Sequence, residues 1–180
     1  MLFVFWQLLS WALYLILAFN FQNRPACQNA FKTFFVHRVG DVSFLCGIFL
    51  AYKYFGTLEF TELFKAAAEQ PQVISLFSGM FDISAVTAIA LLIFVGAMAK
   101  SSQFPLHVWL PDTMDSPTPV SALMHAGIIN AGGFLLNRLA PFYTLSPNTL
   151  HIVFVIGVLT VLMGASMMLA QNDIKKMLGF

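Results

Sequence analysis

The chain has 180 residues, 59% of them hydrophobic and only 9% charged, and its nine basic and eight acidic side chains give a formal net charge of +1. A soluble domain carries roughly 25% charged residues, so a water-soluble enzyme is excluded and the surface must face lipid or other protein. The near balance of charge leaves no basic face for nucleic acid and no acidic tail.

Crossing a hydrocarbon core of about 30 Å takes about 20 mostly apolar residues in a helix. Five segments qualify. The first, Leu2 to Phe19, is uncharged and lacks the basic start and cleavage site of a signal peptide. Along it Gln7, Ser10, Trp11 and Tyr14 form a stripe at helical spacing that predicts packing on a neighbouring helix. The connection FQNRPACQNAFK leads to the second span, from about Val36 to Phe55. Near its start Arg38 and Asp41 stand at i, i+3, where an ion pair reduces the desolvation cost of both. An amphipathic connection, GTLEFTELFKAAAEQPQ, follows.

The third span is ISAVTAIALLIFVGAMA, 17 uncharged residues between Asp82 and Lys100. Beyond Lys100 come Pro105, Pro111, Pro117 and Pro119. Proline removes a backbone donor and disfavours helix just before it, so Lys100 to Pro119 is predicted as a discontinuous helix, and such breaks at membrane depth line cavities or protein interfaces. Two placements of Lys100 stay open: snorkelling at the interface, or standing mid-membrane at the break. Asp112 and Asp115, bracketed by proline, read as turn and cap residues.

The fourth span, Pro119 to about Leu136, contains His125, which is either a hydrogen-bonded packing residue or a proton relay. Ala122, Ile129 and Gly132 share its face, whereas Asn130 lies about 140° around the helix. After PFYTLSPNT the fifth span, His151 to Ala170, is again free of charge.

These runs are continuous in apolarity, not alternating with period two, which excludes a lipid-facing barrel. The expected fold is all-α, a polytopic transmembrane bundle of about five spans forming a single domain over residues 1–180. Counting Arg24, Lys32, Lys175 and Lys176, with Arg38 and Lys100 nearby, the positive-inside rule puts Met1 outside and Phe180 in the cytoplasm or matrix. Cys27 and Cys46 have no metal-ligand spacing around them and read as small buried hydrophobes. No nucleophile and base pair, phosphate-cradling loop or cofactor ligand set is legible, so neither a catalytic residue, a cofactor nor a metal is expected. Ionisable residues in a membrane bundle then point to ion movement.

The stretch KSSQFPLHVWLPDTMDSPTPVSALMHA, Lys100 to Ala126, closely resembles the signature of the antiporter-like membrane subunits of respiratory complex I and of Mrp-type sodium–proton antiporters. Its PTPVSALMHA wording is most similar to the subunit L branch, called subunit 5 in mitochondria. HRVGD at His37 to Asp41 and QNDIKKMLGF at Gln171 to Phe180 agree in order and spacing. The resemblance implies two inverted five-helix repeats, each with a proton-carrying lysine in a broken helix, and this chain matches most of the first repeat. By position it implies that Lys100 is that lysine, His125 the relay histidine of the next helix, and Arg38 and Asp41 the polar pair of the helix before. It implies other membrane subunits of a multisubunit complex as partners, in a bacterial inner membrane. Both termini fall inside the family pattern, so the chain is expected to be a fragment or half of a split subunit, which alone lacks the outlet half-channel.

Two departures qualify the likeness. The family has an acid after the aromatic–tryptophan start of the first span, where FWQ here puts Gln7, so the gating partner of Lys100 is absent or replaced. In addition, HAGIINAGGFLLNRLAP, His125 to Pro141, is more similar to the membrane subunit of DAB-type inorganic carbon pumps, which implies a soluble partner that hydrates carbon dioxide. A non-transporting remnant is the third reading.

Overall fold

A computed structural model describes residues 1–69, 72–76, 81–114 and 116–179; Asp115, expected as a cap, and Phe180 lie outside the described residues. The first helix, α1 (Leu2–Leu17), is followed by a 32-residue helix, α2 (Arg24–Phe55). The second helix starts well before Val36, so most of the expected connection is helical. Pro25 falls in the first turn, where its missing N–H has no intrahelical partner to lose. The helix ends at Gly56 with φ of 70°, the left-handed conformation that suits glycine at a C-terminus.

The amphipathic connection forms α3 (Phe60–Glu69), which buries Leu63 and Ala67, one turn apart. A hairpin not foreseen from the apolar runs follows, β1 (Val73–Leu76) antiparallel to β2 (Phe81–Ser84), with Val73 opposite Ser84 and Leu76 opposite Phe81. It lies between spans and leaves the helical class unchanged. Ser84 then caps α4 (Ala85–Lys100), its hydroxyl accepting from the Thr87 N–H at 3.2 Å.

The chain breaks after Lys100, and a one-turn helix, α5 (Leu110–Thr113), resumes beyond the break. The fourth span is α6 (Thr118–Leu123), a π turn at Met124–Ile128 and α7 (Ile129–Arg138), together one apolar segment. The short α8 (Ala140–Thr144) leads to α9 (Pro147–Ala170), and α10 (Ile174–Gly179) closes the described chain. By length and composition α2, Thr118–Arg138 and α9 can each cross a membrane, while α1 and α4 are shorter apolar helices. The fold is an all-α membrane bundle.

Close packing of α4 along α2 sets the level of the site. A Cβ on Gly47 would stand 3.0 Å from Ile93, one on Gly96 2.8 Å from Phe44, and one on Gly40 against Ala99, so the helices run antiparallel with Lys100 level with the middle of α2. Small residues at these points let the backbones approach, as they do between membrane helices. After the break, Trp109 packs its ring on His37 at 4.7 Å, and Asp112 reaches Lys32 at 2.6 Å and Asn29 at 3.0 Å. The broken helix therefore follows α2 past its centre. Two apolar clusters result, one around Phe44, Ile93, Phe94 and Leu135, the other around Leu13, Val36, Trp109 and Met124.

Candidate functional site

Lys100 is completely buried, at 0% exposure, the most deeply enclosed cation among the described residues. Its depth follows from α2: Lys32 and Lys53 frame a stretch of that helix about 30 Å long, a bilayer's hydrocarbon thickness, and Gly40 lies near its middle. Lys100, beside Gly40, thus stands near the middle of that stretch of α2, the height expected of a lysine at the break and not of one at the interface. Arg38 sits at the same level, so neither residue belongs in the count of flanking charges.

The ammonium donates to the Ser10 hydroxyl of α1 and lies 5.5 Å from the Trp6 ring centroid. Ser10 donates in turn to Asp41 Oδ2 at 3.3 Å, and Trp6 Nε1 donates to Asp41 Oδ1 at 2.9 Å. Arg38 meets the same carboxylate at 2.8 Å and lays its guanidinium over Phe34 at 4.8 Å. One carboxylate, only 3% exposed, therefore serves two cations, directly for Arg38 and through a hydroxyl for Lys100. With all three ionised the group carries one positive charge in excess, and on Lys100 that charge is a removable proton.

Gln7 is half-buried, and its Oε1 has no hydrogen-bond partner among the described residues. The carboxylate linked to Lys100 is Asp41 instead. Of the stripe on α1, Ser10 is buried, whereas Trp11 and Tyr14 pack on Phe34 at 5.0 and 5.2 Å and stay partly exposed. The buried face of α1 is Trp6, Ser10, Leu13 and Leu17. Trp6 and Ser10 were not singled out from sequence as partners of Lys100; their i, i+4 spacing was the available signal.

His125 is not brought into contact with Lys100: its ring makes no hydrogen bond among the described residues, and it is half-buried. It lies in the π turn, where Ile129 N–H bonds to the Met124 carbonyl five residues back. Asn130, expected to lie away from it, touches its backbone, donating from Nδ2 to the His125 and Ala126 carbonyls at 3.0 and 3.3 Å. The contact is with backbone carbonyls, and no side-chain hydrogen bond joins Asn130 to His125 among the described residues. Residues on the predicted face do meet the break, since Ser101 donates to the Ile129 carbonyl at 2.7 Å and a Cβ on Gly132 would clash with Ser101. Cys27 and Cys46 are free, and Cys46 is exposed on the helix surface.

Among known proteins, the family model described as NADH:quinone oxidoreductase/Mrp antiporter, TM matches residues 1–180. The chain is 46% identical over 179 residues to a probable inorganic carbon transporter subunit DabB1 from Halothiobacillus neapolitanus, covering 99% of this chain and 31% of that protein. It is 45% identical over 184 residues to the chloroplastic NAD(P)H-quinone oxidoreductase subunit 5 of Acorus calamus var. americanus, covering 99% of this chain and 24% of the relative. The chain thus spans about a quarter to a third of the length of these relatives. Among solved structures, the Mrp complex from Dietzia sp. DQ12-45-1b superposes with a TM-score of 0.82 at 26% identity, over 99% of this chain and 18% of that one.

Proposed function

Because the chain belongs to the NADH:quinone oxidoreductase/Mrp antiporter transmembrane family, we propose that it is the proton-conducting part of a membrane subunit in a complex I-related NADH-quinone oxidoreductase. Electron transfer elsewhere in the complex drives the movement, and this chain carries the proton. The observation that supports the reading is the fully buried Lys100 at a helix break, joined to Asp41 through Ser10. Lys100 holds the proton, and Asp41 sets how firmly it is held. While Ser10 bridges the two, the ammonium is stabilised; turning the hydroxyl away removes that support and favours release. Arg38 competes for the same carboxylate, so a shift of its guanidinium changes the share left to Lys100. His125 takes the proton onward along the fourth span once the break admits water. The subunit lies in a bacterial cell membrane beside other membrane subunits.

A second reading is favoured by the 46% identity to a protein named as an inorganic carbon transporter subunit. Here the same Lys100 path feeds a soluble partner that hydrates carbon dioxide. The composition of the purified complex separates the two: further antiporter-like membrane subunits belong to the first, a large zinc-binding soluble protein to the second. Lys100→Ala tests both. In vesicles holding the assembled complex, with proton entry followed by a pH-sensitive dye, flux is expected to fall tenfold or more. Unchanged flux would leave only a structural role.

A further inference from the structure

His37 is fully buried, at 0% exposure, and neither of its ring nitrogens has a hydrogen-bond partner among the described residues. Leaving such a group unsatisfied is costly, and native interiors meet that need with ordered water where the protein supplies no partner. The ring is clamped edge-on against Trp109 at 4.7 Å, and Trp109 is itself fixed by its Nε1 donating to the Ala99 carbonyl at 3.0 Å. Ala99 adjoins Lys100. His37 is thus held against the break, within electrostatic range of Lys100 from α4 and of Arg38 from its own helix. Asp41 is one turn further along α2.

We propose that His37 is the group with which Lys100 exchanges its proton through bound water, on the Trp109 side of the break. The inference rests on Lys100 carrying the proton. In the step, the ammonium gives a proton to the bridging water as that water gives one to a neutral imidazole nitrogen. Lys100 becomes a neutral amine and His37 an imidazolium, and the water is unchanged. The pocket's net charge is constant, so the hand-over adds no ion to a low-dielectric interior, where a new charge is costly. Return of the proton by the same water restores the neutral imidazole and the ammonium, and the packed Trp109 ring holds the imidazole in place for the exchange. A hydrogen-bonding side chain that cannot ionise would keep the water and lose the transfer.

The test measures proton flux against pH for the assembled complex in vesicles, comparing wild type, His37→Asn, His37→Gln and Lys100→Ala, with complex yield checked for each. Expected is a tenfold or greater loss in both His37 variants at normal yield, with a changed shape of the pH profile. If Lys100→Ala abolishes flux while either His37 variant stays within twofold of wild type with the same profile, His37 is a packing residue and the proposal falls alone. If Lys100→Ala leaves flux intact, the reading beneath it falls as well. Where a His37 variant lowers yield, His37→Ala with added imidazole decides: recovery of flux with imidazole but not with pyrazole, a ring of the same shape and far weaker basicity, supports proton exchange, and equal recovery or none overturns it.

Discussion

At the scale of single residues, the site depends on one small hydroxyl. Ser10 receives from Lys100 and donates to Asp41, so it sets the coupling between a cation on α4 and an anion on α2. Hydrogen bonds to charged groups contribute about 1.5–3 kcal/mol. Ser10→Ala is therefore expected to slow proton flux about tenfold in dye-loaded vesicles, whereas Ser10→Thr, which keeps the hydroxyl, should stay close to wild type. Equal rates in the two variants would show that Asp41 acts on Lys100 without the bridge. The Arg38 and Asp41 pair was legible in the sequence because both partners lie on one helix at i, i+3. Ser10 and Trp6 were not, since their role depends on the relative heights of three helices, and a helical stripe gives direction but no height. The surroundings of His37 depend on the same heights, although it stands in the same short segment as the pair.

At the scale of elements, the proline run announced the break after Lys100, and the structure carries it from α4 to α5. The extent of α2 and the hairpin were harder to read. Polar residues such as Asn29 and Lys32 look like loop until Asp112 is there to hold them, and strand pairing over four residues leaves too short an apolar signal. The fourth span presses on the break through Gly132 of α7, where an added Cβ would overlap Ser101 and stand 2.5 Å from the Ala97 carbonyl oxygen. Gly132→Ala should destabilise the protein by about 1–3 kcal/mol through overpacking. Gly133→Ala, with nothing within 4 Å of the new Cβ, should be neutral or stabilise by up to about 1 kcal/mol from helix propensity. Thermal melting of the two variants in the same detergent compares them, and similar shifts would contradict the close approach at Gly132.

At the scale of the whole molecule, two apolar clusters sandwich a layer of ionisable groups, and α9 lies at the margin, with Thr149 fully buried and Val153 and Ile156 packed against the first cluster. Its tie to the break is Thr160, whose hydroxyl accepts from the Phe104 N–H at 3.1 Å. Removing Arg38 and Lys100 from the flanking charges leaves Arg24, Lys32, Lys175 and Lys176 on one side, and the expected orientation keeps its basic excess there. In a background with Cys27 and Cys46 replaced by serine, a cysteine at exposed Leu58 should react with an impermeant maleimide in intact cells, and one at exposed Asn172 only after permeabilisation. The opposite pattern would reverse the topology.

The level of Lys100 has an electrical meaning as well. A unit charge crossing the full membrane exchanges about 2.3 kcal/mol with each 100 mV of potential. A proton resting halfway across has passed about half of that drop, so each 100 mV biases its arrival from one face by about 1.15 kcal/mol, close to a factor of seven in occupancy. On the proposed path the buried lysine is in this sense a voltmeter near the midpoint of the field, and the charge state of its pocket is expected to respond to membrane potential even when the pH on both faces is held equal.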